Sequence, residues 1–188
     1  IFPGHWPIGQ VRQLSLHGIQ DAHGIEGIQG AIEVLRTSSE GIEPHAVQFT
    51  EIMFDPSPSL GLPEEEWLEI INRSESHYSI QDFILLDGSS ETQSNLIPQF
   101  GWDGILAPGK RVIVSGSDVS IAGDSTLQAE GIPWPGLNNA GESLMLLGED
   151  GSIADQVQYS SDWMAGLTDG GVSLQVRNWD ACNGPSNW

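Results

Sequence analysis

The chain has 188 residues, with 26 acids against 6 bases, a formal net charge of −20 and a pI ≈ 4.1. A field of that sign repels phosphate, so DNA, RNA and anionic membrane surfaces are disfavoured as partners. A single cysteine, Cys182, excludes an intrachain disulfide framework, and no apolar stretch approaches the roughly 20 residues that span a bilayer.

The length suits one domain plus an appendage. Glycine occurs 23 times and proline 11 times, and windows with apolar residues at helical spacing are scarce. Short β-rich runs between turn signals dominate instead. The first expected strands are Val11–His17 and Ala31–Leu35. The polar stretch Thr37–His45, "TSSEGIEPH", then reads as a linker between a piece spanning 1–36 and a block spanning 46–188. The smaller piece is too short to hold a core unaided. Further strands are expected at Ala46–Phe54, Trp67–Ile71, Phe83–Leu86 and Arg111–Val114, then at Ser143–Leu147, Ile153–Tyr159 and Val172–Val176. Asp-Gly pairs at Asp87-Gly88, Asp103-Gly104, Asp150-Gly151 and Asp169-Gly170 mark turns, and Asp150-Gly151 predicts a hairpin. This spacing of short strands predicts an all-β sandwich or barrel. The chain begins at Ile1 with no visible signal peptide, and reads as a piece of something longer.

Several ordered motifs in the larger block carry a resemblance. They are "FTEIMFDP", "EEEWLEIINRS", "YSIQDFILLDG", "ILAPGKRVIV", "LNNAGESLMLLGEDGSIADQVQY" and "GVSLQVRNWDACNGPSNW". Together they make residues 46–188 resemble the lamin tail domain in its bacterial, secreted form. One departure lies in the closing segment. There the family usually places an acid and then arginine after Ser-Leu, whereas here Gln175 and Val176 follow and Arg177 is displaced by one. The resemblance implies an immunoglobulin-like β-sandwich and a binding or architectural module of a secreted or cell-surface bacterial protein, not a catalytic activity. Its partner would be another protein or neighbouring domains of the same parent chain. Candidate core positions are Phe49, Trp67, Ile70, Phe83, Leu144, Val157, Leu174 and Trp188. The stretch "VRQLSLHGIQDAHG" is similar to the final strands of bacterial immunoglobulin-like domains, which makes residues 1–36 a β extension from a preceding domain.

Three acids interrupt apolar patterns. Strict alternation places Glu51 with Val47, Phe49 and Met53, Glu69 with Trp67 and Ile71, and Asp155 with Ile153, Val157 and Tyr159. A buried, unpaired carboxylate costs several kcal/mol, so each must be bonded, paired, protonated or at an edge. One reading has them accept backbone N–H groups or hydroxyls where strands bulge or loops cross, or stand exposed after a bulge. The other gathers Glu51, Glu69 and Asp155 into a calcium cluster, since that cation seeks oxygen ligands. Catalysis by paired carboxylates ranks below both, because no interstrand spacing follows from sequence.

Other signals are weaker. Glu64–Glu66 reads as a solvated loop face, with Glu66 at the start of a strand. Asp118, Asp124, Glu149 and Asp150 lie in turn-like contexts without EF-hand spacing. His17 and His23 around Asp21 lack a third ligand. Asn72-Arg73-Ser74 fits a glycosylation sequon, but its asparagine reads better as a turn cap. Trp6, Trp102, Trp134, Trp163 and Trp179 raise the alternative of a carbohydrate-binding strip, and an accessory domain of an extracellular hydrolase is a further alternative. Cys182 reads as a structural thiol, because Arg177 is the one base near it in sequence.

Overall fold

The structure, a computed structural model, describes residues 9, 11–18, 20–27, 30–88, 91–117, 127–164, 170–181 and 183–188. The described strands are β1 (Val11–Leu16), β2 (Gly30–Leu35), β3 (Val47–Met53), β4 (Trp67–Asn72), β5 (Tyr78–Ser79), β6 (Ile84–Asp87) and β7 (Gln93–Pro98). They continue with β8 (Ile105–Leu106), β9 (Arg111–Ser115), β10 (Leu127–Ile132), β11 (Ser143–Leu147), β12 (Ile153–Gln158) and β13 (Leu174–Gln175). Two short 3-10 turns, Ile80–Asp82 and Ser161–Met164, are the helical elements among the described residues.

Nine strands join in one curled sheet ordered β12-β11-β6-β7-β10-β9-β4-β3-β13, and β5 pairs with β8 beside it. Every pairing in the large sheet is antiparallel except β9 with β10. The two halves of the curled sheet face each other over one core, giving an all-β, immunoglobulin-like sandwich. The hairpin at Asp150-Gly151 joins β11 to β12, with Gly151 at φ 82°, the left-handed conformation that glycine adopts without strain. Strands β7 and β10, "QSNLIP" and "LQAEGI", were not among the sequence expectations. Polar outward residues, Gln93 and Asn95 in the first and Gln128 and Glu130 in the second, dilute the apolar pattern, and each strand holds a strand-poor residue, Pro98 or Gly131.

Phe49, Ile70, Phe83, Leu144, Val157, Leu174 and Trp188 are buried in the main core. Trp67 is buried as well, but in a separate small cluster with Met53 and Ile113. The register explains the split. Trp67 lies opposite Met53, and Glu69 lies opposite both Glu51 and Ile113, so these side chains share the sheet's outer face.

Two bulges overturn the strict alternation read from sequence. In β3 the register shifts between Phe49 and Glu51, leaving Thr50 as the extra residue. Val47 and Phe49 therefore point into the core before the bulge, and Ile52 and Phe54 after it, while Glu51 and Met53 turn outward. In β12 the shift falls at Ala154, so Ile153 points to solvent while Asp155, Val157 and Tyr159 point inward.

The stretch Thr37–His45 packs onto the sandwich. Ser39 and Ile42 are buried, and Ile42 belongs to the core. Ser39 Oγ donates to Asp82 O at 2.6 Å and accepts the Glu149 amide at 2.9 Å. The Gly41 amide donates to Asp150 Oδ2 at 2.9 Å. A Cβ at Gly148 would collide with the Ser39 carbonyl, so the β11–β12 turn is shaped to this segment. N-terminal to it, β1 and β2 pair only with each other among the described residues. That ribbon is tied to the sandwich through Gly9, whose carbonyl accepts the His77 amide at 3.2 Å and whose amide donates to Arg36 O at 2.8 Å.

Candidate functional site

Asp155 is the most deeply placed of the three acids. Its Oδ2 accepts the Phe49 amide at 2.9 Å, beside the β3 bulge. Its Oδ1 lies 3.0 Å from His45 Nδ1 and accepts from Asn183 Nδ2 at 3.2 Å. The His45 amide in turn donates to Ala154 O at 2.6 Å, and Asn183 Nδ2 also donates to Gln156 O at 2.6 Å. Burial pushes the Asp155 carboxyl above its ordinary pKa, while the Phe49 and Gln156 amides and then His45 pull it back. The side chain thus closes a seam. It joins the first strand in the sheet order, β12, to β3 near the other end, where β13 covers only Glu51 and Ile52.

Glu51 and Glu69 sit opposite each other on the outer face, but each has its own partners. Glu51 accepts from the Ser173 hydroxyl and from Gln175 Nε2, the latter at 2.8 Å, which pins β13. Glu69 Oε1 accepts from Thr50 Oγ1 at 2.5 Å and from Arg111 Nη1 at 3.1 Å. Among the described residues, no three His, Cys, Asp or Glu side chains are arranged to hold a metal ion. The three carboxylates are held in separate hydrogen-bond networks.

The other candidate positions are bonded within the fold. Glu66 Oε2 accepts from Trp134 Nε1 at 3.0 Å and from the Leu137 amide at 2.8 Å. Asn72 is fully buried, and its Nδ2 donates to Ser76 O and Leu106 O while its Oδ1 accepts the Ser74 amide. That is a turn cap with both amide hydrogens engaged inside the fold. Asp21 Oδ1 accepts the His23 and Ile25 amides and shapes a turn. Ser152 holds the exposed Asp150 carboxyl below its ordinary pKa. Burial raises Asp82, and burial together with Glu142 raises the Tyr159 phenol. Glu64 accepts the Ser59 amide. Asp118, Asp124, Cys182 and Trp6 lie outside the described residues.

The tryptophans are dispersed. Trp102 Nε1 donates to Ile105 O at 3.3 Å. Trp163 and the buried Trp188 approach with ring centroids 6.4 Å apart and planes tilted by 38°. Together with Ser173, Gln175 and Arg177 they line an open groove of about 560 Å³ beside β13. Trp179 is exposed and is approached by two guanidinium groups, Arg73 at 5.9 Å and Arg111 at 5.3 Å from its ring centre. Arg73 also donates to Trp179 O and to Gln48 Oε1. This clamp, which periodicity could not foresee, fastens the C-terminal segment over the outer face of β3 and β4.

The family model for the Lamin Tail Domain matches residues 42–161. The match opens at Ile42, the core residue of the packed N-terminal stretch, and closes before β13. No curated protein and no solved structure matches the chain.

Proposed function

The chain belongs to the lamin tail domain family, and from that premise we propose that it is a non-catalytic binding and architectural module of a large secreted or cell-surface bacterial protein. It contributes adhesion, spacing or anchoring, and its partners are other proteins or neighbouring domains of the same parent chain. One observation supports this above others: the three carboxylates that interrupt the strands' apolar pattern are engaged in holding the fold. Asp155 bonds the Phe49 amide, Glu51 bonds β13, and Glu69 bonds Arg111. A general acid or base must keep its proton-transfer position within reach of a substrate.

The experiment is a surface fractionation of producing cells with an antibody to the sandwich, followed by pull-down from that fraction. Recovery of a defined surface partner supports the reading. Absence from the surface, or turnover on a panel of ester, peptide and glycoside substrates, defeats it. A calcium titration followed by thermal melting belongs beside it. A rise in Tm at millimolar calcium would support calcium binding by Glu51, Glu69 or Asp155, and an unchanged Tm would count against it.

A second reading, a carbohydrate-binding module, has one observation in its favour. The groove beside β13 combines two tryptophans with Ser173, Gln175 and Arg177. A glycan array with Trp163→Ala as control separates it from the first.

A further inference from the structure

The outer faces of the two halves of the large sheet are treated differently by the chain itself. On the β3–β4–β9 half, the outward apolar side chains Met53, Trp67, Ile71 and Ile113 are buried. On the β12–β11–β6–β7–β10 half, the outward apolar side chains have no such cover. In one row across the strands, Ile153 faces Leu147, Leu147 faces Ile84, Ile84 faces Asn95, and Asn95 faces Ile132. In the next row Met145 faces Leu86. Ile153 and Ile132 are each 46% exposed, and Ile84, Leu86, Met145 and Leu147 are half-buried.

The sequence of the two central strands fits a covered face. β6 begins Ile-Leu-Leu, and β11 runs Leu-Met-Leu-Leu after its serine. Continuous apolar runs of this kind mark strands buried on both faces, whereas a strand with one wet face alternates with polar residues. Contiguous apolar patches on a soluble surface mark interaction sites.

Charge indicates the occupant. The chain carries 26 acids against 6 bases, so two copies meeting at an arbitrary face bring carboxylates together. From these five strands one charged side chain points outward, Glu130, and Gln99 Nε2 donates to it at 3.2 Å. The other polar side chains that these strands turn outward are uncharged, among them the amides of Gln93, Asn95 and Gln156. An amide carries both donors and acceptors, so it can pair with its own copy, as a carboxylate cannot. A two-fold interface sets one patch against itself and needs that self-complementarity.

We propose that this face is a self-association surface, on which a second copy of the chain packs sheet against sheet with Ile84, Leu86, Met145, Leu147 and Ile153 at its centre. Aligned packing of two such faces leaves the sheets about 10 Å apart with interdigitated side chains.

The test is analytical ultracentrifugation of the full chain over a concentration series, at low salt and at about 0.5 M salt, where the Debye length falls to a few ångströms. A reversible monomer–dimer equilibrium is expected, tighter at high salt because repulsion between the acidic chains is screened. Ile153→Glu should weaken it at least ~tenfold, and Glu33→Gln, on the β1–β2 ribbon, should leave it unweakened. If Ile153→Glu loses its cooperative melt, Gln156→Glu places the same charge at an exposed rim position and is read instead. A chain that stays monomeric at high salt overturns the proposal in favour of a different protein partner. So does a dimer that both charge variants leave intact.

Discussion

The Asp155 carboxylate on β12 accepts the Phe49 amide on β3 at 2.9 Å, across 106 positions of sequence. One side chain thereby satisfies a main-chain donor that no described strand reaches, because β13 pairs with Glu51 and Ile52 and the Val176 amide after it bonds the Thr50 carbonyl, short of Phe49. Asp155→Ala should strand that buried amide and cost about 1–3 kcal/mol. Asp155→Asn keeps an acceptor of the same shape and should cost less than the alanine variant. Urea melts of the two variants check this, and equal losses would mean that the bond is idle.

The same residue sets a pH dependence. Burial raises the folded-state pKa of Asp155 above its unfolded value, and Asp82 shifts the same way for the same reason. The folded chain then holds these protons more tightly than the unfolded chain. Each group's contribution to stability therefore falls as pH rises through the interval between the two pKa values, and is constant above it. The unfolding free energy of wild type relative to Asp155→Asn should accordingly rise on acidification through the interval just above the ordinary carboxylate pKa. It should be flat near neutrality. A relative stability that falls on acidification would show that the bonds to Phe49 and His45 outweigh desolvation.

Much of this frame was legible in the sequence, and the reasons for the rest are physical. Runs such as Trp67–Ile71 and Ile153–Tyr159 declare themselves by β-branched and aromatic residues. β10 does not, because Gln128 and Glu130 dilute its apolar pattern and Gly131 interrupts it. The bulges misdirected the faces of Glu51 and Ile153, although one left a trace. Core residues fall at Val47 and Phe49 and then at Ile52 and Phe54, and that extra step is the phase change. The partner of Asp155 had no such trace, because a backbone amide carries no sequence signature.

The clamp on Trp179 supports a prediction about coupling. Arg111 lies over the ring while its Nη1 donates to Glu69, and Arg73 flanks the same ring while bonding Asp180. Exposed cation–π contacts are worth about 0.5–1 kcal/mol. A double-mutant cycle with Arg111→Ala and Trp179→Ala should return a favourable coupling of about that size. Additive single effects would mean that the stacking is incidental.

Nucleic acid should not bind at physiological salt. Arg73 and Arg111 lie close together, but both are bonded to protein acceptors and set in a chain of net charge −20. Phosphate contacts gain affinity by releasing counterions from the nucleic acid, and that requires a stripe of free bases. A mobility-shift titration with double-stranded DNA should show no complex at micromolar protein, and a shifted band there would contradict the electrostatic argument.

The packed stretch Thr37–His45 moves the effective start of the sandwich. The expectation from sequence is that residues 46–188 fold alone and residues 1–36 do not. Ile42 lies in the core and Ser39 bonds both Asp82 and Glu149, so cutting at residue 46 removes buried apolar surface and leaves the Glu149 amide without its acceptor. Burial of one isoleucine contributes about 1.5–3 kcal/mol, and the lost bond adds to it. A chain of residues 37–188 should therefore melt cooperatively and close to the full chain, because among the described residues the β1–β2 ribbon pairs only with itself. A chain of residues 46–188 should also melt cooperatively, but about 2–4 kcal/mol less stable. Residues 1–36 alone should show no cooperative transition, since an isolated two-stranded ribbon is marginal in water. Equal stability of the two longer chains would make the stretch a tether after all, and a large loss on removing residues 1–36 would make the ribbon part of the sandwich.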